Sequence, residues 1–236
     1  MSEIGSQQSG QAEDEQPGQV EEEQPGQVDG EQRGPADKDR PLQTDKDRPL
    51  QTDGETPSPF LVVALGASAG GFRPLQQFFE QLPQDSNMAF VVVMHLAPEY
   101  ESHLAPLLQT TTKIPVVQVS ERTRLQPNQV FVAPPNRNIT LQDDELVLSP
   151  LEQDRAERAP IDHFFRSLAG EYGASAVCVV LSGTGTDGTL GLRRVKEVGG
   201  LTVAQDPADA EYSAMPQNAI ATGEVELIMP AAELAP

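Results

Sequence analysis

The chain has 236 residues and carries 36 Asp and Glu against 16 Lys and Arg, a net charge of −20 at neutral pH. So acidic a surface repels phosphate backbones, which excludes nucleic acid as a partner, and no apolar run is long enough for membrane insertion. One cysteine excludes a disulfide framework, and the opening Met1-Ser2-Glu3-Ile4-Gly5-Ser6 lacks the basic and apolar regions of a secretion signal, so a cytoplasmic location is expected.

Residues 1–57 differ in kind from the rest. They hold fifteen acidic and five basic side chains among Pro, Gly and Gln, with almost no large apolar residues to offset the entropy of ordering. Glu15–Val20 recurs as Glu23–Val28 and Asp37–Thr44 as Asp45–Thr52, repeats too short and too polar for a solenoid. The expectation is a disordered acidic tail over 1–57 followed by one folded domain over 58–236.

From residue 58 onward, apolar runs of strand length alternate with amphipathic stretches of helix length. The first strand falls near 60–66 and a helix near 72–82. A strand near 89–94 and a helix near 101–111 follow, then strands near 115–119 and 129–133. Ile139–Leu148 reads as two short alternating runs around Asp143-Asp144-Glu145, a hairpin. Residues 149–160 combine charge and proline without periodicity and read as a surface loop beside the cleft. A helix near 161–172, a strand near 175–182, a helix near 188–198, a strand near 201–205, a helix near 216–222 and a strand near 225–229 complete the order. The fold class is therefore α/β: a doubly wound, mostly parallel sheet with helices on both faces and a small antiparallel hairpin excursion. Cys178 lies inside the apolar run Ala176–Leu181, which predicts a buried reduced thiol.

Open α/β sheets bind ligands beyond the carboxyl ends of their strands, so polar residues that follow strands point to a site. Ser68 lies in Gly66-Ala67-Ser68-Ala69-Gly70-Gly71, His95 ends Ala89–His95, and Asp187 closes Leu181-Ser182-Gly183-Thr184-Gly185-Thr186-Asp187. Gly66-x-Ser68-x-Gly70 fits a nucleophile elbow, with Ser68 expected on an exposed strand-to-helix turn. A serine hydroxyl needs a base, and an imidazole base needs an acceptor to fix its tautomer; His95 and Asp187 supply those roles. Backbone N–H groups of Ala69 and of Gly183-Thr184-Gly185 are the oxyanion-site candidates. Taken singly, Ser68 fits a helix cap, His95 a satisfied core histidine, and Asp187 a cap of the following helix. His103 and His163 fall within helical stretches and read as structural. Gly66-x-Ser68-x-x-Gly71 is a near miss of a dinucleotide fingerprint, with serine where the second glycine belongs and His95 where the next strand should end in an acid.

Gly66–Gly71, Val91–His95, Val132-Ala133-Pro134-Pro135-Asn136, Pro160-Ile161-Asp162, Leu181–Gly188 and Met215–Ile220 together resemble, in order and spacing, the catalytic domain of CheB-type chemotaxis protein-glutamate methylesterases. The resemblance covers about residues 60–230. It implies hydrolysis of glutamyl γ-methyl esters, often with glutamine deamidation, by a triad at Ser68, His95 and Asp187 and without a cofactor. The implied partners are a methylated chemoreceptor or related signalling protein and, since the closer likeness is to domains fused with methyltransferases, a CheR-type methyltransferase. This chain departs from the family at Ala69, where the best-known members have Thr, at Thr184, where they have Met, and at Gln217, where Arg is common. Residues 1–57 also lack the strand–helix alternation of a receiver domain. The competing reading is a non-catalytic signalling or binding module that keeps the fold.

Overall fold

The computed structural model describes residues 60–95, 103–151 and 159–235. The expected acidic tail lies outside them, as do residues 152–158 of the expected surface loop. Within this frame β1 (Leu61–Ala67) leads into α1 (Phe72–Gln81), β2 (Met88–Met94), α2 (Leu104–Gln109) and β3 (Val116–Gln118). The short β4 (Thr123–Arg124), β5 (Gln129–Val132), β6 (Arg137–Gln142) and β7 (Glu145–Pro150) follow, then α3 (Pro160–Tyr172) and β8 (Ala176–Val180). Last come α4 (Thr189–Glu197), β9 (Leu201–Gln205), α5 (Ala214–Ala221) and β10 (Leu227–Met229).

Seven strands form one sheet in the order β10-β9-β8-β1-β2-β5-β3, and every pairing in it is parallel. The strands read as unbroken apolar runs because both faces are covered. Along β1, Val62 and Ala64 face α3 and α4, while Val63, Leu65 and Ala67 join α1 and α2 on the other side. Under α1 the fully buried Phe78, Phe79 and Phe90 rings meet edge to face with centroids 5.1 to 6.0 Å apart. Burying each ring contributes roughly 1.5–3 kcal/mol, so α1 is fixed by packing. No helix among the described residues is long and apolar enough to cross a membrane. Cys178 is buried with a free thiol, whose pKa burial pushes well up.

The hairpin is larger than the sequence suggests. Asp143 and Asp144 both adopt positive φ, 51° and 61°, the geometry of a tight two-residue turn that short polar side chains tolerate. β4 adds a third strand, giving an antiparallel sheet ordered β4-β7-β6, and β7 runs on through Ser149 and Pro150, expected as loop. This small sheet docks on α3: Leu141 N–H donates to Ser167 Oγ at 2.9 Å, and Tyr172 Oη–H to Asp144 Oδ1 at 2.9 Å. The helix expected over 101–111 is also shorter at its carboxyl end. Thr110 and Thr111 hydroxyls donate to the Leu107 and Leu108 carbonyls, which competes with further helical turns.

From β1 the chain builds outward through β2 toward β3, and later returns to β8 on the other flank of β1. The order therefore reverses between β1 and β8, and a crevice opens there beyond the carboxyl ends.

Candidate active site

Ser68 and His95 each lie one step beyond a paired strand end. Ala67 pairs with Met94 as the last register of β1 and β2, and His95 N–H donates to Ala67 O at 2.9 Å. Their backbones are thus held at about the 5 Å spacing of neighbouring strands. On the other side Ser68 N–H donates to Ser182 O at 3.0 Å, which ties the turn to the residue after Leu181.

Ser68 itself is 8% exposed, where an exposed position was expected. The loop after β8 lies over it so closely that a Cβ on Gly183 would stand 2.9 Å from Ser68 Cβ and 2.5 Å from Met215 Sδ. Nor does Ser68 cap α1. The cap position is Gly71, without a side-chain bond, and the turn closes through Gly71 N–H to Ser68 O at 3.0 Å. At Gly70 the φ of +68° excludes most side chains, and a Cβ there would strike the Tyr212 ring at 2.8 Å.

His95 is exposed, so it is no core histidine. Among the described residues its imidazole makes no hydrogen bond to Ser68 or Asp187, although its charge lies close enough to act on the Asp187 carboxyl. Asp187 does not cap the helix that follows it. Gly188, at φ +93°, turns the chain away, and the Asp187 carboxylate instead accepts N–H bonds from Asp162 (2.9 Å) and Ile161 (3.2 Å) in the first turn of α3. Pro160 opens that helix, so one amide that would need a partner is missing. Burial raises the Asp187 pKa to about 6; the two N–H groups oppose the rise, neighbouring Asp162 adds to it, and His95 opposes it.

Of the oxyanion candidates, Gly183 is excluded, because its N–H is taken by Tyr212 O at 2.9 Å. Thr184 and Gly185 are exposed, and Ala69 stands half-buried beside the serine. His103 precedes α2 in an exposed position, and His163 is half-buried on α3. Two supporting residues went unrecognised in the sequence. Ser182 is fully buried and donates from Oγ to Ala69 O at 2.9 Å, while its own N–H donates to Gln205 Oε1 at 2.8 Å. Gln205 ends β9, so inspecting every polar residue at a strand end would have found it.

A polar crevice of about 420 Å³ opens beside Gly70, between Arg73 and Gln77 of α1 and Asp209 and Glu211 of the loop after β9. A second hollow of about 340 Å³ is apolar and lined by Leu61, Met88, Leu201 and Leu227, which begin their strands or lie at their starts, so it belongs to the opposite edge. Ser68, His95 and Asp187 all follow strands at the carboxyl edge of the sheet, the edge on which the polar crevice also opens.

The family model for CheB methylesterase matches residues 63–236. The chain belongs to the CheB methylesterase family. It superposes with a TM-score of 0.70 and 28% identity on the crystal structure of the Thermotoga maritima CheB methylesterase catalytic domain, over 75% of this chain and 96% of that one. Over 176 residues it is 35% identical to a Pseudomonas aeruginosa protein-glutamate methylesterase/protein-glutamine glutaminase, covering 74% of this chain and 52% of that protein. An uncharacterised 104.1 kDa protein of Rhodobacter capsulatus is 46% identical over 123 residues, 52% of this chain and 13% of that one. The chain thus spans about half the length of the Pseudomonas relative and far less of the Rhodobacter one. CheB methylesterases are a hydrolase family, and the span matched by the family model, residues 63–236, includes Ser68, His95 and Asp187.

Proposed function

We propose that this chain is a protein-glutamate methylesterase that hydrolyses glutamyl γ-methyl esters on a chemoreceptor or related signalling protein in the cytoplasm. Residues 58–236 form its catalytic domain and residues 1–57 an acidic tail. The observation that carries the reading is the placement of Ser68 and His95 side by side beyond β1 and β2 in a CheB methylesterase fold, with Asp187 within electrostatic reach of the imidazole.

In this reading His95 takes the Ser68 hydroxyl proton as Oγ attacks the ester carbonyl carbon. The tetrahedral intermediate collapses, the carbonyl re-forms, and methoxide leaves with that proton as methanol. Water activated by His95 then cleaves the acyl-serine ester, restoring Ser68 and releasing the glutamate carboxylate. Asp187 orients the imidazole and balances its transient positive charge. The same steps on a glutamine side chain release ammonia, the deamidase activity named for the relatives. A CheR-type methyltransferase, which makes the ester, is the natural counterpart.

Ser68→Ala abolishes methanol release from a methylated receptor fragment while the fold remains; undiminished release defeats the proposal. One observation favours the alternative of a non-catalytic module, namely the exposed His95 ring without a hydrogen bond to Ser68. A fluorophosphonate probe separates the two, since it labels Ser68 in an active hydrolase and leaves a binding module unlabelled.

A further inference from the structure

Neither α3 nor α4 caps its own amino end: Ala159 and Gly188 stand at the cap positions and neither makes a side-chain bond. Each nevertheless finds an acceptor for its first-turn N–H groups in the other helix's opening residues. Asp187, just ahead of α4, accepts from Ile161 and Asp162 of α3, and Asp162 accepts in return from Gly191 N–H of α4 at 2.6 Å. The two helix starts are locked by a reciprocal pair of carboxylates.

We infer that Asp162 is a positioning residue for catalysis, fixing the Asp187 carboxylate in place and setting its charge through this lock. The inference rests on the assignment of Asp187 as the partner of His95. It draws on two features that a purely structural cap does not explain. Asp162 is 6% exposed, and burying a carboxylate is costly where Ser, Thr or Asn would cap a helix equally well. Its charge also bears directly on Asp187. Among the described residues, the groups facing the pair are His95, Arg166 one turn along α3, and the N–H groups of Ile161, Asp162, Gly188, Leu190 and Gly191. These cations and dipoles do not offset the desolvation of the two carboxyls, and each is pushed upward, burial being the largest cause for both. Asp162 therefore raises the affinity of Asp187 for a proton while holding its oxygens still.

The test compares Asp162→Asn, which keeps an acceptor for Gly191 N–H but removes the charge, with Asp162→Ala, which removes both. The readout is the second-order rate constant for fluorophosphonate labelling of Ser68 as a function of pH, in the full chain, with thermal melts reporting the folded fraction. Deleting a negative charge makes every neighbouring acid easier to ionise, so Asp162→Asn moves the acid limb to lower pH, by roughly half a pH unit or more. Asp162→Ala lowers the plateau rate constant about tenfold or more, and Asp162→Asn restores it to within about threefold. An unmoved acid limb in Asp162→Asn overturns the inference, and so does an Asp162→Ala chain that labels as fast as the unsubstituted one. If Asp162→Ala fails to fold, the Asn variant decides alone. Labelling that persists in Ser68→Ala defeats the triad assignment itself, which separates that failure from this one.

Discussion

Replacing Asp187 by Asn should make the protein more stable at alkaline pH while nearly abolishing its chemistry. The carboxyl titrates near 6 in the folded chain against an ordinary 3.8, burial being the main cause. Such a rise is equivalent to roughly 3 kcal/mol against the charged form. Because the folded pKa is raised, the favourable contribution of the protonated group is complete below about pH 4 and is lost as pH climbs through about 6. Asparagine resembles the protonated acid at every pH. It surrenders one acceptor to the α3 N–H groups, an offset of about 1 kcal/mol, leaving a net gain near 2 kcal/mol at pH 8. By pH 5 about half of the penalty has already appeared, so the advantage of the variant should widen by about 1.5 kcal/mol between pH 5 and pH 8. Urea unfolding at those two values measures it, both lying above the isoelectric point near 4.3. Labelling of Ser68 by fluorophosphonate should meanwhile slow on the order of a hundredfold or more. A stability difference that does not change with pH, or a variant less stable at pH 8, refutes the reasoning that burial dominates at Asp187.

Two further substitutions probe the support of the nucleophile. Gly183→Ala places a methyl 2.9 Å from Ser68 Cβ and 2.5 Å from Met215 Sδ, so it should cost about 1–3 kcal/mol in urea unfolding and slow labelling of Ser68; a neutral outcome in both would show that Met215 yields freely. Gln205→Ala strands the buried Ser182 N–H and should destabilise by about 1–3 kcal/mol, with slower labelling because Ser182 O holds Ser68 N–H; unchanged stability and labelling would show that the Gln205–Ser182 bond does not matter.

The parallel sheet was legible because its strands are buried on both faces and stand out as unbroken runs, and the hairpin because Asp143-Asp144 interrupts an alternating pattern. β4 escaped notice since two residues carry no period and are strand only by pairing with Glu145 and Leu146. Ser68 was legible as a turn residue, yet its burial was not. That burial comes with the close approach of Gly183, more than a hundred residues away along the chain. Ser182 and Gln205 share the same limit: their polar groups matter only because β8 lies beside β1 and β9 beside β8, an order set by packing.

Asp187 shows most clearly where local rules stop. An acid followed by glycine and a helix reads as the cap of that helix, and its charge complements the positive end of the nearest dipole. Instead Gly188 turns the chain through φ +93° and delivers the carboxylate to the start of α3, which precedes it in sequence. The dipole of α3 favours the charged form, but burial and Asp162 outweigh it, because the pKa ends near 6 and not below its ordinary value. The acid is therefore held rigidly by two N–H groups while retaining enough proton affinity to respond to the charge on His95. A surface cap would be held less firmly, and a fully solvated carboxylate would be screened from the imidazole. Burial at a borrowed helix terminus holds the carboxylate rigidly, at the cost in stability that Asp187→Asn should recover.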